Sequence, residues 1–242
     1  MAVRWARVAT LRCVESVLFT GLCGLMAAAM FGLFVWGIVV AVRRARARER
    51  QKTAYLWDWA RRNGWTYVTS DPSLARRFQG RPFGQGTNRR ALHVLAGVHR
   101  GRQMIAFEYF YTVSNGENST THRRLIAAIP TPSPRPYLEL TLEGAGSKLL
   151  ELVGVRDLQL ESDEFNRVFR IRTGSDRFAY DVLHPRMMEW LLADQRSRTV
   201  PFRFEGNALL CWSGGEMNPQ HVTWMADYLA DVADRVPGYV WR

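Results

Sequence analysis

The feature that most constrains this 242-residue chain is an uncharged stretch near its N-terminus. Residues 16–42 include no Asp, Glu, Lys or Arg over twenty-seven positions. About twenty apolar residues cross the hydrocarbon core of a bilayer as a helix, so this stretch is long enough to span it with some tilt. The apolar core of a secretory signal peptide is only about half as long. We therefore predict an uncleaved transmembrane helix at residues 16–42, preceded by a short basic segment at residues 1–15.

A basic cluster follows the uncharged stretch at once. Six basic residues lie within ten positions after it, against three before it, and the more basic flank of a span usually stays in the cytoplasm. We therefore expect a single-pass protein of the cell membrane whose remaining chain is cytoplasmic. The lipid bilayer is the first predicted partner, because a basic juxtamembrane segment at residues 43–52 would contact anionic headgroups. The predicted membrane-surface residues are Arg43, Arg44, Arg46, Arg48, Arg50 and Lys52.

The net charge of +11 would normally suggest nucleic acid as a partner. Its distribution argues against this interpretation. Residues 1–52 have nine basic and two acidic residues, a net charge of +7, whereas residues 53–242 have twenty-four and twenty, a net charge of +4. Most of the excess therefore flanks the predicted span, and no nucleic-acid partner is predicted.

Residues 53–242 are long enough for one domain with a sizeable core. Alternating apolar residues predict strands, with a hairpin turn at residues 99–102 and a second hairpin around Gly206. An apolar stripe at helical spacing predicts a helix at residues 219–236. These patterns indicate an α+β fold of mainly antiparallel strands with packed helices. Four prolines at alternate positions in residues 130–136 predict a stiff extended linker, which leaves open a sub-boundary there and a division into two domains.

Recognisable catalytic motifs are missing from the sequence. It has no GxSxG, Walker or HExxH motif and no zinc-ligand spacing among its histidines and cysteines. A glycine-rich stretch at residues 143–148 resembles a phosphate-binding loop but fails its spacing. No cofactor or resident metal is predicted. The missing motifs favour a non-enzyme, although a catalytic site can also be assembled from residues that are distant in the sequence.

The sequence offers a carboxylate cluster and one histidine as catalytic candidates. Glu161, Asp163 and Glu164 form a carboxylate cluster that could hold a divalent cation. The alternative is that Ser162 begins a short helix and the acids occupy its first turn, where they complement the helix dipole. His184 precedes a predicted helix start, where it would be a cap or a surface residue. It is also a candidate catalytic base, although the sequence shows no partner for it.

Two segments resemble a known family. Residues 158–171 include Glu161-x-x-x-Phe165-Asn166, and residues 178–191 include Pro185-Arg186-Met187. The sequence from about Trp57 to the C-terminus is similar to a family of uncharacterised membrane-anchored bacterial proteins that is common in actinobacteria. The resemblance implies a bacterial origin and supplies no activity, cofactor or catalytic residue.

Together these features predict a membrane-anchored, non-catalytic module that binds a protein or ligand at the inner membrane face. The alternative is a metal-assisted hydrolase that uses carboxylates around residues 157–164, with Asp157 among them.

Overall fold

A computed structural model describes residues 2–116, 118–144 and 154–242, with side chains from residue 30 onward. Contacts divide the chain into two compact units, Met1–Ala54 and Tyr55–Arg242. The first unit is helical, because α1 runs over 61 residues, Ala2–Arg62, and enters the second unit only with its last turns. In the part with described side chains, no helix is both long and apolar enough to qualify as a membrane span. Residues 16–29 of the predicted span lie outside that part.

The second unit has an α+β fold, as the sequence predicts. Among the described residues, seven antiparallel strands form one sheet in the order β1-β2-β3-β4-β6-β5, and β7 pairs with β4. The strands are β1 Thr66–Ser70, β2 Thr87–His99, β3 Arg102–Ser114, β4 Ser119–Leu142, β5 Arg156–Leu158, β6 Phe169–Thr173 and β7 Phe202–Gly214. The other α-helices are α2 Asp163–Val168, α3 Asp176–Val182, α4 Pro185–Ala193 and α5 Pro219–Arg235. Short 3₁₀ helices occupy Leu74–Arg76, Gln195–Arg198 and Gly238–Trp241.

The longest strand, β4, occupies the position of the expected linker. Residues 130–136 lie inside this 24-residue strand, and Tyr55–Arg242 forms one compact unit across them. Pairing with β7 becomes irregular between Pro130 and Leu138, where the register shifts twice. Proline removes a ladder donor, so it is tolerated where regular pairing is already interrupted. The prolines therefore mark an irregularity within a strand.

The second expected hairpin is also a continuous strand. β7 continues through Gly206 without interruption. This glycine has a positive φ of 54° and pairs with Arg135 at the irregularity in β4. Glycine adopts this backbone conformation without steric cost, so the strand bends there and does not reverse. The first predicted hairpin is confirmed, because β2 and β3 are joined through Arg100 and Gly101.

The sheet is covered on both faces. On one face, α5 packs into the larger core, and every member of its predicted apolar stripe is buried there: Val222, Met225, Leu229, Val232 and Val236. On the other face, Phe83 packs against Phe107 and Tyr109 of β3 in a smaller core. A sheet with two buried faces positions the side chains at its ends rigidly.

The last turns of α1 are part of the larger core. Leu56 and Ala60 are buried, and Trp59 meets Trp65 edge-to-face with ring centroids 5.4 Å apart. The indole of Trp65 lies directly over Gly97 of β2, where a Cβ would stand 2.4 Å from two of its ring carbons. Glycine is therefore required at this position by the close approach of the tryptophan.

An ion-pair network connects the β2–β3 turn to α5. Arg100 donates to Asp231 at 2.8 Å, and Arg196, from the 3₁₀ helix before β7, donates to the other oxygen of Asp231 at 2.7 Å. The network also includes His99–Asp227 at 2.7 Å and Arg102–Asp234 at 2.5 Å. It fixes α5 across the end of the sheet.

Candidate binding cavity

A cavity of about 470 Å³ opens on the sheet between the loop at residues 81–85 and the segment at residues 197–201. Strands β3, β4, β6 and β7 contribute to its walls. Its lining is strongly basic, with Glu139 as the only acid among the described lining residues. The arginines are Arg81, Arg124, Arg170, Arg172 and Arg198. Tyr111 and Trp212 add aromatic surface.

A row of alternating charges crosses four neighbouring strands, and two of its members, Glu139 and Arg172, line the cavity. The strand register places Asp157 of β5 opposite Arg172 of β6, Arg172 opposite Glu139 of β4, and Glu139 opposite Arg203 of β7. Arg172 Nη1 lies 3.6 Å from Glu139 Oε1, and Arg203 Nη1 donates to Glu139 Oε2 at 3.1 Å. Directly opposite residues in a sheet share one face, so the pairing itself brings these charges together.

Arg203 is the most enclosed charge in this row. Its side chain has no solvent exposure, and its guanidinium lies 5.3–5.7 Å from the ring centres of Phe83, Tyr137 and Trp212. Arg203 Nη1 also donates to the carbonyl of Arg81 at 2.8 Å. Arg203 Nη2 lies 2.9 Å from Glu205 Oε2, at an angle that makes no hydrogen bond. A buried arginine thus holds the loop that forms one wall of the cavity.

This environment raises the pKa of two ionisable neighbours, Tyr137 and Arg170. Burial raises the pKa of Tyr137, so its phenol stays protonated and donates to Glu139 at 2.8 Å. The hydrogen bond to Asp157 raises the pKa of Arg170 above its usual value, and the Nη2–Oδ2 distance of that pair is 2.5 Å. At neutral pH Tyr137 is therefore neutral and Arg170 is charged.

Three of the lining arginines differ from Arg170 and Arg172. Among the described residues, no carboxylate pairs with Arg81, Arg124 or Arg198, and the Nε of Arg81 is buried without a hydrogen-bond partner. Arg124 lies on β4 opposite Gly214 of β7, whose missing side chain leaves room for the guanidinium. The cavity can therefore attract and hold an anion.

The predicted catalytic candidates lie elsewhere. Neither the main cavity nor a smaller one of about 240 Å³ beside Asp157 is lined by Glu161, Asp163, Glu164 or His184. In the described part of the chain, no group of three His, Cys, Asp or Glu side chains is arranged to hold a metal ion.

Both candidate positions have a local structural role. Ser162 begins α2 and accepts a hydrogen bond from the Phe165 amide at 3.3 Å, which leaves the exposed Asp163 and Glu164 in the first turn. His184 begins α4, where its Nδ1 accepts from the Met187 amide at 3.4 Å. Of the carboxylates around residues 157–164, Asp157 alone among the described contacts joins the charge row.

The charged residues of the row were not predicted from the sequence. The available signal was charge inside otherwise apolar strands, as in Leu138-Glu139-Leu140 and Phe202-Arg203-Phe204. Buried charges in such positions are rare unless they are paired, so each one predicts a partner. The glycine-rich stretch at residues 143–148 falls largely outside the described residues.

The fold and cavity define a small α+β domain with a basic concave surface. No protein-family model matches the sequence, and no curated protein resembles it in sequence. The fold is similar to the crystal structure of the mycobacterial trehalose monomycolate transport factor A, TtfA, with a TM-score of 0.56 and 14% identity. The similarity covers 75% of this chain and 94% of that chain. At this identity the two proteins share a fold, and a fold does not define a function.

Proposed function

We propose that this chain is a membrane-anchored, non-catalytic binding module whose domain lies at the inner face of the cell membrane. The cavity on the sheet is the observation that supports the binding role most directly. Its size is within the range of about 300–1,000 Å³ that is common for ligand sites. The name of the structural neighbour, a transport factor, is compatible with a role in holding a ligand or partner.

The helix supports the anchor. Five large apolar side chains, Met30, Phe31, Leu33, Phe34 and Trp36, are 64–69% exposed, so none of the described residues covers them. Such an apolar surface requires an apolar environment, and the basic cluster directly after it suits a headgroup layer. The five arginines between Arg43 and Arg50 are all exposed. We assign the lipid bilayer as the environment of this segment.

Membrane extraction and reporter fusions test the anchor. The full chain should resist alkaline carbonate extraction, and a chain without residues 1–52 should be released. A C-terminal green fluorescent protein should be fluorescent, and a C-terminal alkaline phosphatase inactive. Release of the full chain by carbonate would disprove the anchor, and active phosphatase would place the domain on the opposite side.

Site-specific photo-crosslinking in cells tests the binding role. A photoreactive residue at Thr199, which lines the cavity, should give an adduct, either a protein partner or a small molecule. Thr121 is an exposed threonine on β4 outside the cavity lining and provides the matched control. Equal labelling at both positions, or none at either, would contradict a binding role for the cavity.

A further inference from the structure

We infer that the cavity binds a phosphate-bearing ligand whose anion is held by Arg81, Arg124 and Arg198. This inference names the ligand class for the binding role proposed above and rests on that role.

The charge balance of the cavity is the first argument. Glu139 is shared between Arg172 at 3.6 Å and the buried Arg203 at 3.1 Å, so it has no capacity left to neutralise the other arginines. Asp157 is paired with Arg170 at 2.5 Å. The described lining thus keeps three guanidinium groups without a carboxylate partner. A concave surface with one sign of charge concentrates counter-ions of the opposite sign.

The number and shape of these groups favour phosphate over a simple carboxylate. Each guanidinium presents a planar fork of N–H donors that matches two oxygens of an anion. A carboxylate has two oxygens and a single negative charge, which one arginine satisfies. A phosphate monoester has three terminal oxygens and a charge near −2, so it can accept from three arginines at once.

The walls indicate what the phosphate is attached to. Trp212 and Tyr111 line the cavity together with Pro82 and Pro201, which give it apolar surface beside the basic groups. The guanidinium of Arg203 lies over the Trp212 ring at 5.3 Å and holds that ring in place. The cavity therefore suits a phosphate monoester that is joined to a ring, as in a sugar phosphate or the headgroup of a ring-phosphorylated inositol lipid.

The arginines are also placed on rigid supports. Arg124 belongs to the centre of the sheet, between β3 and β7, and the Arg81 carbonyl is fixed by Arg203. Preformed positions reduce the entropy lost when a ligand binds. Arg198 ends a 3₁₀ helix at the rim and is exposed, which makes it the first group an entering anion would meet.

Calorimetric titration tests the inference on the full chain in phosphatidylcholine nanodiscs at about 0.15 M salt. The probes are inorganic pyrophosphate and inositol 1-phosphate. Because residues 43–52 are also basic, the arginine variants decide the outcome. Arg124→Gln and Arg198→Gln should each weaken binding about tenfold, the effect of losing one charge-assisted contact. Arg186→Gln, an exposed arginine on α4 outside the cavity lining, should leave binding unchanged.

A second arm separates the two sources of the phosphate. Nanodiscs that contain phosphatidylinositol 4-phosphate, whose ring phosphate is a monoester, should compete with inositol 1-phosphate if the ligand is a lipid headgroup, and should not compete if it is a free metabolite; both results support a phosphate site. Absence of saturable binding, or equal affinity in all variants, would overturn the inference. If Thr199 still crosslinks in that case, the binding role stands and only the ligand class is wrong.

Discussion

The buried charge row makes a quantitative prediction about stability. Replacing Glu139 with Gln keeps the shape of the side chain and removes the anion between Arg203 and Arg172. The side chain of Arg203 is 0% exposed and that of Glu139 is 6% exposed, so water cannot replace the lost partner. Breaking a buried ion pair on one side costs about 3–5 kcal/mol.

Two remaining carboxylates place the expected cost at the lower end. Glu205 lies 2.9 Å from Arg203, and Asp157 lies 4.0 Å from Arg172. We expect a loss of about 3 kcal/mol in the free energy of unfolding. For a domain of this size, one kcal/mol shifts the midpoint by about 2–4 °C, so Tm should fall by roughly 6–12 °C. Thermal unfolding of the full chain in detergent, followed by tryptophan fluorescence, measures this shift.

The matched control is an exposed ion pair of the same type. Asp58 and Arg62 are 2.5 Å apart on α1, and their side chains are 54% and 65% exposed. Asp58→Asn should cost less than about 0.5 kcal/mol, because water screens the pair. Equal Tm values for Glu139→Gln and Asp58→Asn would refute the energetic importance of the charge row. A double variant that also carries Arg203→Met should be less destabilised than the sum of the single changes, since neither charge is left unpaired.

Three further predictions concern other parts of the domain. Gly97→Ala should lower the free energy of unfolding by about 1–3 kcal/mol, because its Cβ would overlap the buried Trp65 ring; an unchanged Tm would contradict this. Burial raises the pKa of Asp231, but hydrogen bonds from Arg100 and Arg196 outweigh this effect and lower the pKa below 3.8. The stabilising contribution of Asp231 to folding is therefore fully present above that value and is lost as the pH falls through the lowered pKa. Asp231→Asn should therefore cost about 1–2 kcal/mol at pH 7 and progressively less below about pH 4, which urea midpoints measure; a pH-independent cost would disprove the linkage. Cys211 is fully buried and burial raises the pKa of its thiol, so Ellman's reagent should modify it only on unfolding in a chain whose other cysteines are serine; rapid labelling of the native protein would contradict this.

Local signals in the sequence were enough to predict several elements. The β2–β3 hairpin and α5 follow from a turn with Gly101 and from an apolar stripe at helical spacing, and both depend only on residues close in the chain. The prediction of antiparallel strands with packed helices has the same basis. Periodicity within one segment is a strong indicator, because one buried face determines it.

Elements that depend on distant partners were misjudged. Prolines in residues 130–136 and Gly206 look like breaks in the sequence, yet each lies where the other strand is also irregular. The sequence left two interpretations open for Asp163 and Glu164, because the pattern is the same for cation ligands and for the start of a helix. The charge row was missed because a row across four strands appears only when the register is known.

The pairing of β7 with β4 has a consequence for the order of events during synthesis. Arg203 and Trp212 belong to the last strand of the sheet, and the cavity is complete only when that strand pairs with the much earlier β4. Contacts between such distant segments form late, because a long loop must close first. The N-terminal helix leaves the ribosome long before this step. Under the proposed anchoring, a nascent chain is already inserted in the membrane before its cavity is complete. A chain that ends before Phe202 would therefore reach the membrane but would be unable to bind a ligand in the cavity.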